Sequence, residues 1–168
     1  MKPGDMILIR GTGTLSNEIL KATNGDVSHA ALLIGVNPAI CIEALDRVKT
    51  NPLHITVQNA AAVYMVEDQS LTDADREAIV YAALTFSADD YNYMDLALQG
   101  LDSLSHSTWF THILAHQFLD RWPICSYVVS KAYERGIGRT FNKPSDSITP
   151  QDLYLAGQYK PYTKLKLK

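Results

Sequence analysis

The sequence predicts an α+β fold in one domain, with strands in the first half and helices in the second. Residues 5–67 hold short apolar or alternating runs rich in Ile, Val and Leu, separated by Gly, Asn, Asp or Pro. After the first, the connections between these runs are a few residues long, which favours antiparallel neighbours, because a parallel crossover needs a dozen or more. Beyond residue 70 the apolar spacing becomes helical, and strands followed by helices argue against a doubly wound sheet.

A length of 168 residues suits one core and is short for two, so 1–168 is read as a single domain. The 46% hydrophobic and 20% charged content excludes disorder throughout. A formal charge of -3 leaves no basic excess for a phosphate backbone, so no nucleic-acid partner is expected. The longest apolar stretches, such as Ala30 to Val36, fall far short of the ~20 residues that span a bilayer. The start MKPGDMILIR has no secretory apolar core. The expectation is therefore a chain without a transmembrane segment and a cytoplasmic location, with delivery outside the cell by another route left open. Nothing in the composition sets the oligomeric state.

About five strands are expected: Asp5 to Arg10, Val27 to Gly35, Ala39 to Leu45, Leu53 to Gln58 and Ala61 to Glu67. Between the first two, Leu15, Ile19 and Leu20 give Thr14 to Thr23 the spacing of a helix. The preceding Gly11-Thr12-Gly13-Thr14 lacks a P-loop lysine and is read as a turn with an N-cap that walls a cleft. Thr72 is the expected N-cap of the next helix, with Asp73, Asp75 and Glu77 in its dipole-favoured first turn. Further helices are expected from about Asp95 to Leu104, Thr108 to Arg121 and Ile124 to Arg135. The last is opened by Pro123 and closed by Gly136. The tail PYTKLKLK suits an edge strand guarded by lysines.

The two cysteines, Cys41 and Cys125, are too few for a disulfide scaffold or a four-cysteine zinc site. Cys125 falls in the first turn of its helix, where unpaired backbone N–H groups and the helix dipole stabilise a thiolate. The competing account is a small buried apolar residue, and a partner base decides between them. Of His29, His54, His106, His112 and His116, His29 stands apart because it lies in a strongly apolar strand, where an imidazole needs a hydrogen-bond partner and takes a fixed direction. The next strand carries Glu43 in the apolar setting CIEAL. A hairpin turning at Gly35-Val36-Asn37 pairs His29 with Glu43 and Ala31 with Cys41. A slip of one residue would send Glu43 to the other face. Acid, imidazole and thiol in that order are what a cysteine hydrolase requires.

His112 and His116 stand four apart on a helix, but HILAH has apolar residues where a zinc protease has its glutamate, and no third ligand is fixed. No metal and no cofactor are expected, and these histidines are read as lining a cleft or capping the helix face beside Trp109 and Phe110.

Pro3-Gly4-Asp5 before an apolar strand and Ser28-His29-Ala30-Ala31-Leu32-Leu33-Ile34-Gly35 resemble a block of the NlpC-type cell-wall amidases and peptidases, a branch of the papain-like cysteine hydrolases. In the usual order the cysteine helix comes first. Here Cys125-Ser126-Tyr127-Val128-Val129 follows, as in the circularly permuted branch of YiiX-like proteins and the lecithin retinol acyltransferase relatives. Ile42-Glu43-Ala44, Tyr91-Asn92-Tyr93-Met94-Asp95 and Thr149-Pro150-Gln151-Asp152-Leu153 extend the resemblance over most of the chain. It departs at Tyr127, where the permuted family often carries an acid, a difference that bears on substrate preference.

The resemblance implies a papain-like antiparallel sheet packed on helices, with the nucleophile at a helix N-terminus. It implies Cys125 as nucleophile, His29 as base and Glu43 as orienting acid. The backbone N–H of Cys125 would contribute to an oxyanion hole, with Tyr93 or Tyr91 as second donor and Ser28 and Ser126 near the substrate. The implied activity is cleavage of an amide or ester through an acyl-enzyme, on a cell-wall peptide or on an N-acyl or lipid substrate that Trp109, Phe110 and Phe118 would wall. The alternatives are a lipid acyltransferase and a binding module that keeps the fold without turnover. Cys41, two residues from Glu43, is expected to be a core thiol beneath the site.

Overall fold

The computed structural model describes residues 1–45, 47–88 and 124–168. They form one six-stranded antiparallel sheet packed with helices. In chain order the elements are β1 (Met6–Gly11), α1 (Thr14–Thr23), β2 (His29–Val36), β3 (Ala39–Ala44), β4 (Val48–Pro52), α2 (Leu53–Thr56), β5 (Ala60–Asp68), α3 (Asp73–Ala88), α4 (Ile124–Ile137), a 3-10 turn at Ser145–Ser147, α5 (Pro150–Ala156) and β6 (Tyr162–Lys166). The strand order is β4-β3-β2-β1-β5-β6. The helices expected at 95–104 and 108–121 lie outside the described residues, as do His106, His112, His116, Trp109, Phe110 and Phe118.

Both faces of the sheet are covered, which is why β1 and β2 are near-continuous apolar runs. One face carries Met6, Leu8, Ala30, Leu32, Ile42 and Val66, buried against Ile79 and Ala83 of α3, Val129, Ala132 and Tyr133 of α4 and Leu153 of α5. The other face buries Ile7, Ile9, Ala31, Leu33, Cys41, Val63 and Met65, with Leu53 and Val57 of the α2 segment packed against them.

Helix starts follow the sequence signals. Thr72 and Asp75 cap α3 reciprocally, with Asp75 N–H donating to Thr72 Oγ1 and Thr72 N–H to the Asp75 carboxylate. Thr149 and Asp152 form the same box at α5, with Pro150 in the first turn. The helix α1 starts instead from Gly13, whose position has no side-chain cap.

Three expectations are corrected. The segment expected as a strand from Leu53 to Gln58 opens with the single helical turn α2, and the edge strand is the preceding Val48–Pro52. Pro52 ends that strand because it cannot donate to a ladder, and Leu53 and Val57, four apart, then bury one helical face. The β2–β3 register pairs Ala31 with Glu43 and Leu33 with Cys41, two residues from the expected pairing, with an irregularity between Leu33 and Gly35 and the turn at Asn37-Pro38. Finally, α4 runs through Gly136 to Ile137, and Gly138 takes the left-handed conformation beyond it (φ 69°).

Gly136 serves close packing. A Cβ there would lie 2.8 Å from Ile79 N and 2.9 Å from Ala78 C and O, all backbone of α3 that cannot swing aside. Gly136→Ala is expected to destabilise the protein by about 1–3 kcal/mol in urea unfolding despite alanine's better helix propensity. A stabilised variant would show that α3 and α4 have room to separate.

The start of the chain is tied down by a buried ion-pair network. Gly4 has φ 87°, its carbonyl accepts the Tyr133 hydroxyl at 2.7 Å, and Asp5 accepts the Lys2 N–H at 2.6 Å. Arg76 of α3 donates to Asp5 Oδ1 and to the Pro3 carbonyl, each at 2.8 Å, and to the Asp68 carbonyl at 3.0 Å. Arg139 pairs with the Asp68 carboxylate.

Candidate functional site

The site forms where the start of β2 meets the start of α4. In α4, Cys125, Val129, Ala132 and Gly136 follow the i, i+4, i+7, i+11 spacing of one helical stripe. Val129 and Ala132 anchor that stripe in the main core, which sets Cys125 at its N-terminal end beside β2. Ser126 and Ser130 fix the helix to the following loop, donating to the Ile148 carbonyl at 2.5 Å and the Ser145 carbonyl at 3.3 Å.

Cys125 is 3% exposed. Its sulfur is hydrogen-bonded to the His29 side chain and accepts from the backbone N–H groups of Ala30 and Ser126. On the far side of the ring, His29 Nε2 lies 2.7 Å from Glu43 Oε2, which leaves Nδ1 to face the thiol. Glu43 Oε1 accepts from Asn51 Nδ2 at 2.8 Å and Thr56 Oγ1 at 2.9 Å. The sequence-predicted trio Cys125, His29 and Glu43 is thus one hydrogen-bonded relay.

The electrostatics favour the charged forms of both Cys125 and His29. Burial pushes the Cys125 thiol up, but the His29 charge, the His29 hydrogen bond and two backbone N–H groups together hold it below its ordinary value. Burial likewise works against a charged His29, yet Cys125 and Glu43 outweigh it and raise the imidazole to about 10. Glu43 is desolvated, and the three donors from His29, Asn51 and Thr56 more than compensate, keeping its carboxyl below the usual range. Cys41 shows the contrast. Desolvation and the nearby Glu43 charge push that thiol up to about 12, so it stays a protonated core residue.

The other predicted site residues are placed as follows. The Ser28 hydroxyl is engaged with the Gly11 N–H at 3.2 Å, the Ile9 carbonyl at 3.3 Å and Ser16 Oγ, tying α1 to the end of β1. The Ser126 side chain is committed to Ile148, while its backbone N–H meets the Cys125 sulfur. Tyr91 and Tyr93 lie outside the described residues. Asn51 and Thr56 were missed by sequence reasoning. A β4–α2 boundary at Pro52 is the signal that brings them to Glu43, since Asn51 pairs with Cys41, on the same face as Glu43. Among the described residues no three His, Cys, Asp or Glu side chains group so as to hold a metal ion, and no helix is long and apolar enough to cross a membrane.

No family model matches the chain, and no curated protein matches it. Among solved structures, the crystal structure of the metalloprotein YiiX from Escherichia coli O157:H7 aligns with 98% of this chain and 96% of its own, at a TM-score of 0.67 and 18% sequence identity. At that identity the likeness speaks to architecture alone, and on it this chain has a YiiX-like α+β fold.

Proposed function

We propose that the protein is a thiol hydrolase of the permuted NlpC type that cleaves an amide or ester through an acyl-enzyme on Cys125. The observation that carries this reading is the Glu43–His29–Cys125 relay at a helix N-terminus, with opposite shifts on thiol and imidazole. A thiol that is only a core residue has no use for a charged imidazole, and Cys41 is what such a thiol looks like.

In this scheme His29 holds the thiol proton in the resting enzyme. The Cys125 sulfur attacks the carbonyl carbon, and the tetrahedral oxyanion is met by backbone N–H groups of the first turn of α4, which have no intrahelical partner. His29 gives its proton to the departing amine or alcohol as the carbon–heteroatom bond breaks, leaving a thioester. A water, deprotonated by His29, then cleaves the thioester, releasing the acid and returning the proton to the imidazole. Glu43 stays ionised throughout and fixes the ring. The substrate is an acyl group of a wall peptide, an N-acyl compound or a lipid; an acceptor alcohol or amine in place of water makes the same site an acyltransferase.

Incubation with a panel of chromogenic acyl esters and peptide amides, followed by mass spectrometry, tests the reading. An acyl adduct on Cys125 and turnover that vanishes in Cys125→Ala are expected. The rate should follow a bell in pH. Its acid limb lies below the ordinary thiol value, where the thiolate is lost, and its alkaline limb lies near 10, where the imidazolium is lost. Turnover that survives Cys125→Ala would sink the proposal.

A further inference from the structure

We propose that Thr56 and Asn51 are positioning residues that lock Glu43 in the orientation needed to hold His29, and that α2 exists to deliver Thr56. The inference rests on the thiol-hydrolase reading for its purpose, but its test reads the thiol itself.

The geometry is specific. Glu43 offers two oxygens with separate partners. Oε2 faces His29 Nε2 at 2.7 Å, and Oε1 takes the Asn51 amide at 2.8 Å and the Thr56 hydroxyl at 2.9 Å. A carboxylate held by its ring partner alone can rotate about its terminal torsion, which is broad and two-fold. Donors on the second oxygen remove that freedom. They also set the direction of the ring bond: both protons come toward Glu43, so the acid remains an acceptor and Nε2 must supply the third proton. That leaves Nδ1 as the nitrogen that exchanges a proton with Cys125.

The local chain is arranged for this. Leu53, Thr56 and Val57 share one face at i, i+3 and i+4, and Leu53 and Val57 pack into the second core, while His54 and Ile55 on the other side are exposed. Thr56 is thereby carried inward between two apolar anchors. A helix of one turn has too little hydrogen bonding to form for its own sake, so packing and the Thr56 contact hold it. Asn51 reaches the same oxygen from the edge strand, where its backbone pairs with Cys41.

The test is a double-mutant cycle read by the ultraviolet thiolate absorbance of Cys125, taken as the difference from Cys125→Ala at each pH. Thr56→Val, which keeps the shape and removes the donor, is expected to raise the apparent thiol pKa so that the thiolate fraction on the acid limb falls about tenfold. Thr56→Ser is expected to restore it to within about twofold, with melting temperatures alike in all three proteins. In a Glu43→Gln background, Thr56→Val should add nothing, because Thr56 acts only through the carboxylate. The proposal is overturned if Thr56→Val titrates like the unmodified protein, if Thr56→Ser falls as far as Thr56→Val, or if the Thr56→Val effect persists in Glu43→Gln. Loss of turnover on every acyl compound with the cycle intact would instead count against the hydrolase reading alone.

Discussion

His29→Ala is expected to abolish the Cys125 thiolate at neutral pH and to lower turnover by about a thousandfold or more. Two influences act on this sulfur in opposite directions. Burial of a group only 3% exposed disfavours the anion, while His29, through its charge and hydrogen bond, and the N–H groups of Ala30 and Ser126 favour it. The histidine supplies the only full charge among these partners. Without it, two backbone donors and the partial charge of the helix start face the whole desolvation cost, and the thiol moves above its ordinary value, as Cys41 already has. The helix dipole alone is worth at most about 2 kcal/mol, too little to reverse the sign. Titration of the thiolate absorbance checks this without any substrate. A variant that keeps a full thiolate at pH 7 would show that the helix start activates Cys125 and would leave His29 only a role in proton transfer.

Much of this site was legible because its key relation is one of parity. The hairpin was expected to pair His29 with Glu43, and the true register pairs Ala31 with Glu43. A shift of two residues preserves the face, so imidazole and carboxylate became diagonal neighbours, a separation that two long side chains bridge. A shift of one would have destroyed the reading. The shift itself was hidden because it arises from a bulge near Gly35 and a turn at Asn37-Pro38, and neither has a pattern that hydrophobic alternation reports. Helix α1 was legible to its bounds, since Leu15, Ile19 and Leu20 mark one face, and so was the Thr72 cap of α3. The edge strand β4 was not. Val-Lys-Thr-Asn-Pro is half exposed and lacks the apolar run that marks a buried strand, while the apolar residues of α2 imitated one. With β4 misplaced, Asn51 and Thr56 had no route to the acid. The meeting of Cys125 with His29 is a contact between distant parts of the sequence that no local pattern encodes; the chemistry of a helix-start thiol and a lone strand histidine, and then the family resemblance, pointed to it.

The Gly4-Asp5 pair that contributed to that resemblance acts far from the thiol, and this sets the second large expected effect. Arg76→Met should destabilise the protein by about 3–5 kcal/mol, a large part of the roughly 5–15 kcal/mol that holds a typical domain together. Arg76 is 6% exposed and Asp5 is fully buried, so the substitution leaves a carboxylate in the interior with the Lys2 N–H at 2.6 Å and the half-exposed N-terminal ammonium, 4.0 Å away, as its remaining partners. The carbonyls of Pro3 and Asp68 lose their side-chain donor in the same step.

The deficit should depend on pH in a definite direction. In the intact protein, burial already raises the Asp5 carboxyl above its usual value, with Arg76 and the Lys2 N–H lowering it in part. Removing the guanidinium raises the folded-state value further, while the unfolded value is unchanged. A folded pKa above the unfolded one means that folding takes up a proton as pH falls through the folded value. The variant's loss is therefore greatest at neutral pH and shrinks in acid, once Asp5 is protonated and no longer needs the guanidinium. Asp5→Asn combined with Arg76→Met should recover most of the loss at pH 7, since the amide keeps an acceptor for Lys2 and brings no charge to bury. Urea unfolding of the unmodified protein, both single variants and the double variant at neutral and acid pH measures all of this. Additive losses in the double variant, or a deficit that does not change with pH, would show that Arg76 stabilises the fold through its aliphatic stem against Gly4 and not through the buried ion pair.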